Sequence, residues 1–475
     1  MTDHNRIIER LCSSIVGTIV ASVVFALCLA GSPGHCYAQA QDSGLPKGWR
    51  PPPPTPKELS IENPLIQQEE VDEWRKKERL AFQEALASGK LTPQNQQVIK
   101  RGFRVSVHEM SITDKRNELT DIRKSILRYI NQGIDKKYSD VKNFACKSIT
   151  EHAKQLLDGN FHVRCQAVLL IGELNIEPEI PGLKPKPAVA YIMGLPVLLD
   201  VIHPLQGGIQ QPEPVRILAA LGARRLLELG RHTLKITSKM PVDAARRMLA
   251  QLERQGSDWY HQRLIEALVQ TALATVPDTQ NRQEPVIVEA LARILANPRR
   301  SYGLRSRAAY LLGRTPMPPG IQSAPIAYSL VKLTQQIATD LNQRKIQSDH
   351  ALFYLNDIYL AFKAEKGEST TDGRKQAGLV STLNQQPIQA AYKDILPIVQ
   401  SIFRQYQGAA AGKKVQATIV AGLVNKLNAW DKPQSMSLSP GRPDIQIPMM
   451  KPSPQTKGAG QPRAARPQNR TSNAG

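Results

Sequence analysis

Apolar residues recur at helical spacing along most of this chain. The sharpest instance is Asn160 to Leu174, NFHVRCQAVLLIGEL, where Val163, Ala167, Leu170, Ile171 and Leu174 fall on one face. Leu119, Ile122, Ile126 and Ile130 form a second stripe. Val141, Ala145, Ile149, Ala153 and Leu156 form a third, in a helix predicted to start at a Ser139-Asp140 cap and run to about Leu157. Upstream, Gln67 to Ala87 is charged and amphipathic. Beyond a Pro-rich break at Glu177 to Pro187, the periodicity predicts helices in pairs: Leu195 to Ile202 with Pro214 to Leu229, Pro241 to Gln255 with Trp259 to Ala274, and Pro285 to Ala296 with Leu304 to Arg314. Two longer pairs follow, Pro325 to Leu341 with Ser348 to Ala364 and Pro387 to Tyr406 with Lys413 to Trp430. Strand-like alternation is scarce, and Arg104 to His108 is its best case. The pattern predicts an all-α fold.

Within these stripes a motif repeats. Arg164, Ala167 and Gly172 have the spacing of Arg305, Ala308 and Gly313. Arg216 and Ala219 repeat its first half with Gly222 shifted, and Arg263 with Ala267 is a slipped copy. A helical hairpin of this length cannot bury both faces alone, and stacking on neighbours supplies the missing core. The Val163-Arg164-Cys165-Gln166-Ala167 and Leu304-Arg305-Ser306-Arg307-Ala308 segments, each ending in its Gly, resemble the second helix of HEAT repeats in armadillo-type α-solenoids. The resemblance implies a right-handed α-solenoid over 136–430, preceded by a helical segment at 67–135.

The chain ends read differently. Arg6 and Arg10, the apolar run from Leu11 to Gly31, and Ala38-Gln39-Ala40 predict an export signal cleaved to leave Gln41 at the new N-terminus. The run, at roughly 20 residues, is also long enough to stay in a bilayer as an uncleaved anchor at 11–31. Residues 41–66, with Pro51 to Pro54 consecutive, read as a stiff spacer. From 431 to 475 Pro, Gly, Ser, Lys and Arg dominate, and a disordered basic tail is expected. The expected location is the cell envelope, periplasmic or secreted, with inner-membrane anchoring as the alternative.

Charge then narrows the partners. The formal net charge is +21, a surface that attracts polyanions. In an exported chain the expected partner is another envelope or periplasmic protein, with anionic polysaccharide or lipid head groups as a second contact, and nucleic acid is disfavoured. Arg224, Arg225, Arg246, Arg247, Arg299, Arg300 and Arg307 are the candidate anion-binding residues, because stacked hairpins would align them into a cationic strip. Arg164, Arg216 and Arg305 read instead as structural ties.

Catalytic signatures are missing: the sequence holds no His-Glu-x-x-His, Gly-x-Ser-x-Gly or Cys-x-x-Cys. Gly408 to Lys413 is one residue short of a phosphate-binding loop and reads as an interhelix turn. His152, His162 and Asp158 flank one turn but fall short of the three or four ligands that zinc usually takes. Cys146 and Cys165 would be offset by about 9 Å along a hairpin, beyond disulfide reach. No cofactor is expected. These observations point to a non-catalytic binding scaffold, with an architectural subunit of an envelope complex as the alternative and a HEAT-like enzyme or nucleic-acid binder as the weaker third.

Overall fold

Most of the predicted stripes become helices in the computed structural model, which describes residues 62–135, 137–180, 186–204, 208–233, 239–363, 378–383, 385–407 and 415–445. The expected signal with Ala38, Ala40 and Gln41, most of the Pro-rich spacer, the Gly408 to Lys413 turn and residues 446–475 lie outside these. The amphipathic stretch after residue 67 forms α1 (Gln68–Lys77) and α2 (Arg79–Ser88), and Gly89 stops it in the left-handed conformation, φ 67°. Thr92 caps α3 (Pro93–His108), its hydroxyl accepting the Asn95 N–H at 3.2 Å. Arg104 to His108 is therefore helical, not strand-like. Val105 to His108 are all buried, so their alternation reported no solvent face.

The next stripes behave as read. Leu119, Ile122, Ile126 and Ile130 are the buried side of α4 (Leu119–Gly133). Val141, Ala145, Ile149 and Ala153 are buried on α5 (Ser139–Gln155), and Leu156 follows in a short 3-10 turn. The predicted Ser139-Asp140 cap is corrected. Tyr138 is the flanking residue and no side chain caps this helix, because Ser139 already lies in the first turn. Asn160 does cap α6 (Phe161–Glu173), its side chain accepting the Val163 N–H at 3.1 Å.

Helical pairs then follow in order: α7 (Leu195–Ile202) with α8 (Glu213–Thr233), α9 (Lys239–Leu252) with α10 (Asp258–Val269), α11 (Val286–Ala296) with α12 (Tyr302–Leu312), and α13 (Ser323–Asn342) with α14 (Ser348–Phe362). The short α15 (Leu379–Thr382), α16 (Gln386–Gln407) and α17 (Ala421–Asn428) complete the set. Two small antiparallel ladders, Asn175–Glu177 with Val189–Ala190 and Val276–Pro277 with Gln283–Glu284, lie in the breaks between helices. Contacts run along two rows. The second helices α6, α8, α10, α12 and α14 each pack on the next, α16 packs on both α13 and α14, and α7, α9, α11 and α13 contact one another in turn beside them. The buried side chains form one continuous core.

Glycine sets the closest approaches between second helices. A Cβ on Gly172 of α6 would lie 2.9 Å from the Gly222 Cα of α8, so the two backbones touch there. A Cβ on Gly313, at the end of α12, would come within 2.3 Å of the Ala361 carbonyl of α14. The shifted position of Gly222 is explained by this contact: it meets Gly172 and does not repeat its role.

Two C-terminal expectations are corrected. Helix α17 is shorter than the predicted Lys413 to Trp430, because 415–420 is not helical. The Asn342 amide accepts from the Ile419 N–H and donates to its carbonyl, both at 2.8 Å, and Gln405 does the same to Thr418 at 2.9 and 2.7 Å. The β-branched run Thr418-Ile419-Val420 suits that conformation. Residues 431–445, expected in the disordered tail, fold back instead. Met436 and Leu438 are buried, the Leu438 carbonyl accepts the Gln322 N–H at 2.8 Å, and Arg442 pairs with Glu284 and Glu289 at 3.0 and 2.9 Å.

Overpacking at the crossings is the expected weak point. Gly313→Ala should destabilise the protein by about 1–3 kcal/mol, seen as a lower melting temperature. Gly422→Ala, in a helix with nothing within 4 Å of the added methyl, should leave stability unchanged or raise it by about 0.5–1 kcal/mol. Equal effects at the two positions would contradict the close-packing account.

Candidate functional site

The fourth residue of a second helix recurs as a buried tie. Arg164, Arg216 and Arg305 hold that place in α6, α8 and α12. Arg164 donates to the Gly159 carbonyl at 2.6 Å and to Gln211 at 3.2 Å, while Gln211 donates onward to the Leu157 carbonyl. Arg216 donates to Gln251 at 3.2 Å and lies over the Tyr260 ring. Arg305 donates to the Leu295 carbonyl at 2.9 Å and to Gln336 at 2.7 Å. Each arginine thus reaches a glutamine supplied by the following hairpin. Burial lowers the Arg305 guanidinium to about 10, still charged at neutral pH. In α10 the fourth residue is His261, also buried. The slipped copy is explained: Arg263 was matched to the motif, but His261 occupies the place and Arg263 points elsewhere.

Its target is Glu266, which organises a charge cluster across four second helices. Glu266 of α10 is 2% exposed. Arg224 of α8, Arg263 of α10 and Arg307 of α12 converge on it at 3.2, 2.8 and 2.9 Å, and Gln262 donates at 3.1 Å. Arg307 also reaches Asp357 of α14 at 3.5 Å. Burial opposes ionisation of Glu266, yet Arg263, Arg307 and Arg224 outweigh it and hold the carboxyl below its ordinary range. Asp357 has less compensation, and burial pushes it up to about 6 despite Arg307. Arg307 and Arg314 both lie over the Tyr310 ring, at 4.5 and 4.0 Å, and Arg314 also donates to the Leu360 carbonyl. Charge clusters of this kind perturb carboxylates for structural reasons as readily as catalytic ones. Here the arrangement joins neighbouring helices, with Arg263 Nε and Asp357 Oδ2 left as buried atoms without a hydrogen-bond partner.

Of the seven candidate anion-binding arginines, the cluster takes Arg224 and Arg307. Arg225 donates to the Gly172 carbonyl at 2.9 Å and to Asn175 at 2.6 Å. Arg247 is bound by Asp200 at 2.5 Å and Asp243 at 3.0 Å, and Arg300 by Asp258 at 3.0 Å. Arg246 and Arg299 are exposed. Arg246 touches the Pro277 carbonyl at 2.7 Å, and for Arg299 the backbone N–H bonds to Asn297. The doublets Arg246-Arg247 and Arg299-Arg300 therefore split, one member inward and one outward, while Arg224 and Arg225 are both tied inward, a difference that a linear reading of adjacent arginines does not reveal. Lys235 lies outside the described residues, as does the side chain of Arg231.

The histidine reading changes as well. The His152 ring packs edge-on against His108 of α3, with centroids 5.0 Å apart, whereas His162 lies against Phe161. Among the described residues no group of three or more His, Cys, Asp or Glu is arranged to hold a metal ion. None of the four ring nitrogens of His108 and His152 has a hydrogen-bond partner. Burial lowers both imidazoles to about 4, with His152, Arg104 and Lys100 adding repulsion, and burial lowers His261 to about 4 too. Cys146 and Cys165 are free, and burial raises both thiols to about 12, which makes them poor nucleophiles. Set against known proteins, the chain matches no family model, no curated sequence and no solved structure.

Two outcomes are expected from this geometry. Glu266→Ala would remove the acid shared by three half-buried guanidinium groups, leaving Arg263 unpaired and Arg307 and Arg224 with only Asp357 and Glu228, and should cost about 3–5 kcal/mol, whereas Glu228→Ala, removing an exposed partner of Arg224, should cost less than about 1 kcal/mol. Urea unfolding curves would separate the two. The pH dependence follows from sign. The three imidazoles are neutral in the fold down to about 4, while the unfolded chain takes up protons from 6.5 downward, so stability should fall as pH drops from 6.5 to 4. Asp357 and Glu109, both raised by burial, work the other way, but with two protons against three. Replacing His152 by Leu should flatten the slope of stability against pH by up to about 1.4 kcal/mol per pH unit.

Proposed function

We propose that this protein is an exported, non-catalytic binding scaffold of the cell envelope, built as a right-handed α-solenoid of HEAT-like helical hairpins over 136–430. The observation that supports the reading best is the recurring inter-hairpin tie. Arginines at the fourth position of three second helices each bond a glutamine of the next hairpin, a relation that repeats only if neighbouring pairs stack in a similar way. Contacts along two parallel rows of helices agree with it. Such an array offers an extended surface with each hairpin touching only its neighbours, an architecture suited to holding another protein.

The partner proposed is a second envelope protein, with an anionic polysaccharide or lipid head group as the secondary contact. Export rests on the basic start, the apolar run and the Ala38-Gln39-Ala40 site, with residues 11–31 as an inner-membrane anchor if cleavage does not occur. None of the described helices is long and apolar enough to cross a membrane. The secondary contact is assigned to Arg246 and Arg299, whose guanidinium groups are exposed, in preference to the inward-tied members of the set. This narrows the cationic strip from seven arginines to two.

Crosslinking in intact cells followed by mass spectrometry should capture an envelope protein, and N-terminal sequencing of the same material should begin at Gln41. Recovery of cytosolic proteins alone would overturn the reading. For the cationic contact, Arg246→Glu with Arg299→Glu should release the protein from a sulfated polysaccharide column at lower salt with an unchanged melting temperature. Arg247→Glu with Arg300→Glu should instead lower the melting temperature, because each new carboxylate would face Asp200 or Asp258. Unchanged retention of the first pair would remove the anionic partner from the proposal.

A further inference from the structure

A cleft of about 280 Å³ opens in the N-terminal part, between α1, α2, the turn after α3, and α4. Its floor is formed by Trp74, Ser106, Ile122 and Ile126, all buried, with the Ser125 hydroxyl and the Tyr129 ring beside them. Glu109 also lines it, but Arg75 already binds that carboxylate at 2.7 Å. The remaining charges on the wall are less settled. Arg79 on α2 and Asp121 on α4 line the same cleft and both are exposed. Among the described residues neither forms an ion pair, so they stay more than 4.0 Å from each other. Glu118, at the rim, is taken by Lys115 at 3.0 Å.

Two opposite charges that line one volume without neutralising each other leave room for a ligand carrying the complementary pair. Guanidinium groups match carboxylates through two parallel hydrogen bonds, and a carboxylate accepts readily from an ammonium group. A cleft of this size suits an amino acid or a dipeptide and is too small for a folded partner. Ile122 and Ile126 give the floor an apolar side for an aliphatic side chain. Small-molecule sites commonly combine an apolar lining with a few polar groups that fix orientation.

We infer that this cleft binds a zwitterion of amino-acid or dipeptide size, with its carboxylate on Arg79, its ammonium group on Asp121 and its side chain over Ile122 and Ile126. This site is independent of the scaffold surface, and either assignment stands if the other fails. It adds recognition of a small ligand to a chain that carries no catalytic motif.

The test uses the full mature chain and saturation-transfer NMR or calorimetry with L-leucine and the dipeptide Ala-Leu. Two charge-capped probes, N-acetyl-L-leucine and leucine methyl ester, remove the ammonium and the carboxylate charge in turn. Both zwitterions should bind, and each capped probe should bind about tenfold more weakly, the change for loss of one charge-assisted hydrogen bond. Arg79→Ala should weaken L-leucine and N-acetyl-L-leucine but leave the methyl ester nearly unchanged, and Asp121→Asn should do the reverse. Both side chains are exposed, so the melting temperature should not move. No binding of either zwitterion at millimolar concentration, or equal binding of capped and uncapped probes to the wild-type chain, would overturn the inference without recourse to any variant.

Discussion

From α6 to α14 each second helix packs on the next one along the chain, so that its successor covers one of its faces. The closeness of that packing constrains much of what lies around it. The apolar stripes supply the area, but area alone does not fix how closely two helices approach. Gly172 against Gly222 and Gly313 against the Ala361 carbonyl set that distance by removing side chains at the crossing. Once backbones lie that close, polar groups near the helix starts are shut away from water and need partners of their own. The arginine-to-glutamine ties meet that need at the same place in α6, α8 and α12. Packing distance, buried polar satisfaction and the spacing of the sequence motif are thus one constraint seen at three levels.

The large positive charge has a divided role. An excess of basic residues suggests a surface built to meet anions, yet the arginines that carry the clearest sequence pattern are the ones turned inward. Glu266 draws in three of them, Asp200 and Asp258 take two more, and Asn175 with the Gly172 carbonyl takes Arg225. Buried ion pairs gain little net stability over apolar residues of similar size, but breaking one is costly. Such pairs serve register better than adhesion. A guanidinium that must meet a particular carboxylate on the next helix penalises a slip of the stack by one turn, whereas leucines on the same face would tolerate it.

The C-terminal part closes the array by a different device. Past α16 the chain runs through a non-helical stretch held by side-chain amides, forms the short α17, and then returns along α13 and α11 to the Arg442 pairs with Glu284 and Glu289. The returning segment buries Met436 and Leu438 and so covers apolar surface that would otherwise stay wet. Composition disguised this. Pro, Gly and Ser are abundant from 431 onward, and three well-spaced apolar residues with one arginine were enough to seat 431–445 against a prepared surface.

Local periodicity determined the helices, because an amphipathic stripe records which side of a segment faces the core whatever that core is made of. The stripes from Leu119 to Leu156 and the paired helices from Leu195 to Phe362 were legible for that reason. Repeat spacing also marked Arg164, Arg216 and Arg305 as ties. Other features required two distant segments to meet. Which of Arg246 and Arg247, or Arg299 and Arg300, turns inward depends on where Asp200 and Asp258 stand, roughly forty residues away in each case. That Arg263 leaves its motif place to His261 depends on Glu266 being shared with α8 and α12. The non-helical path of 415–420 depends on Asn342 and Gln405. A sequence determines what each segment prefers within a few turns of itself, and only the tertiary structure decides which charges are neutralised and which remain in water, because neutralisation is a property of pairs.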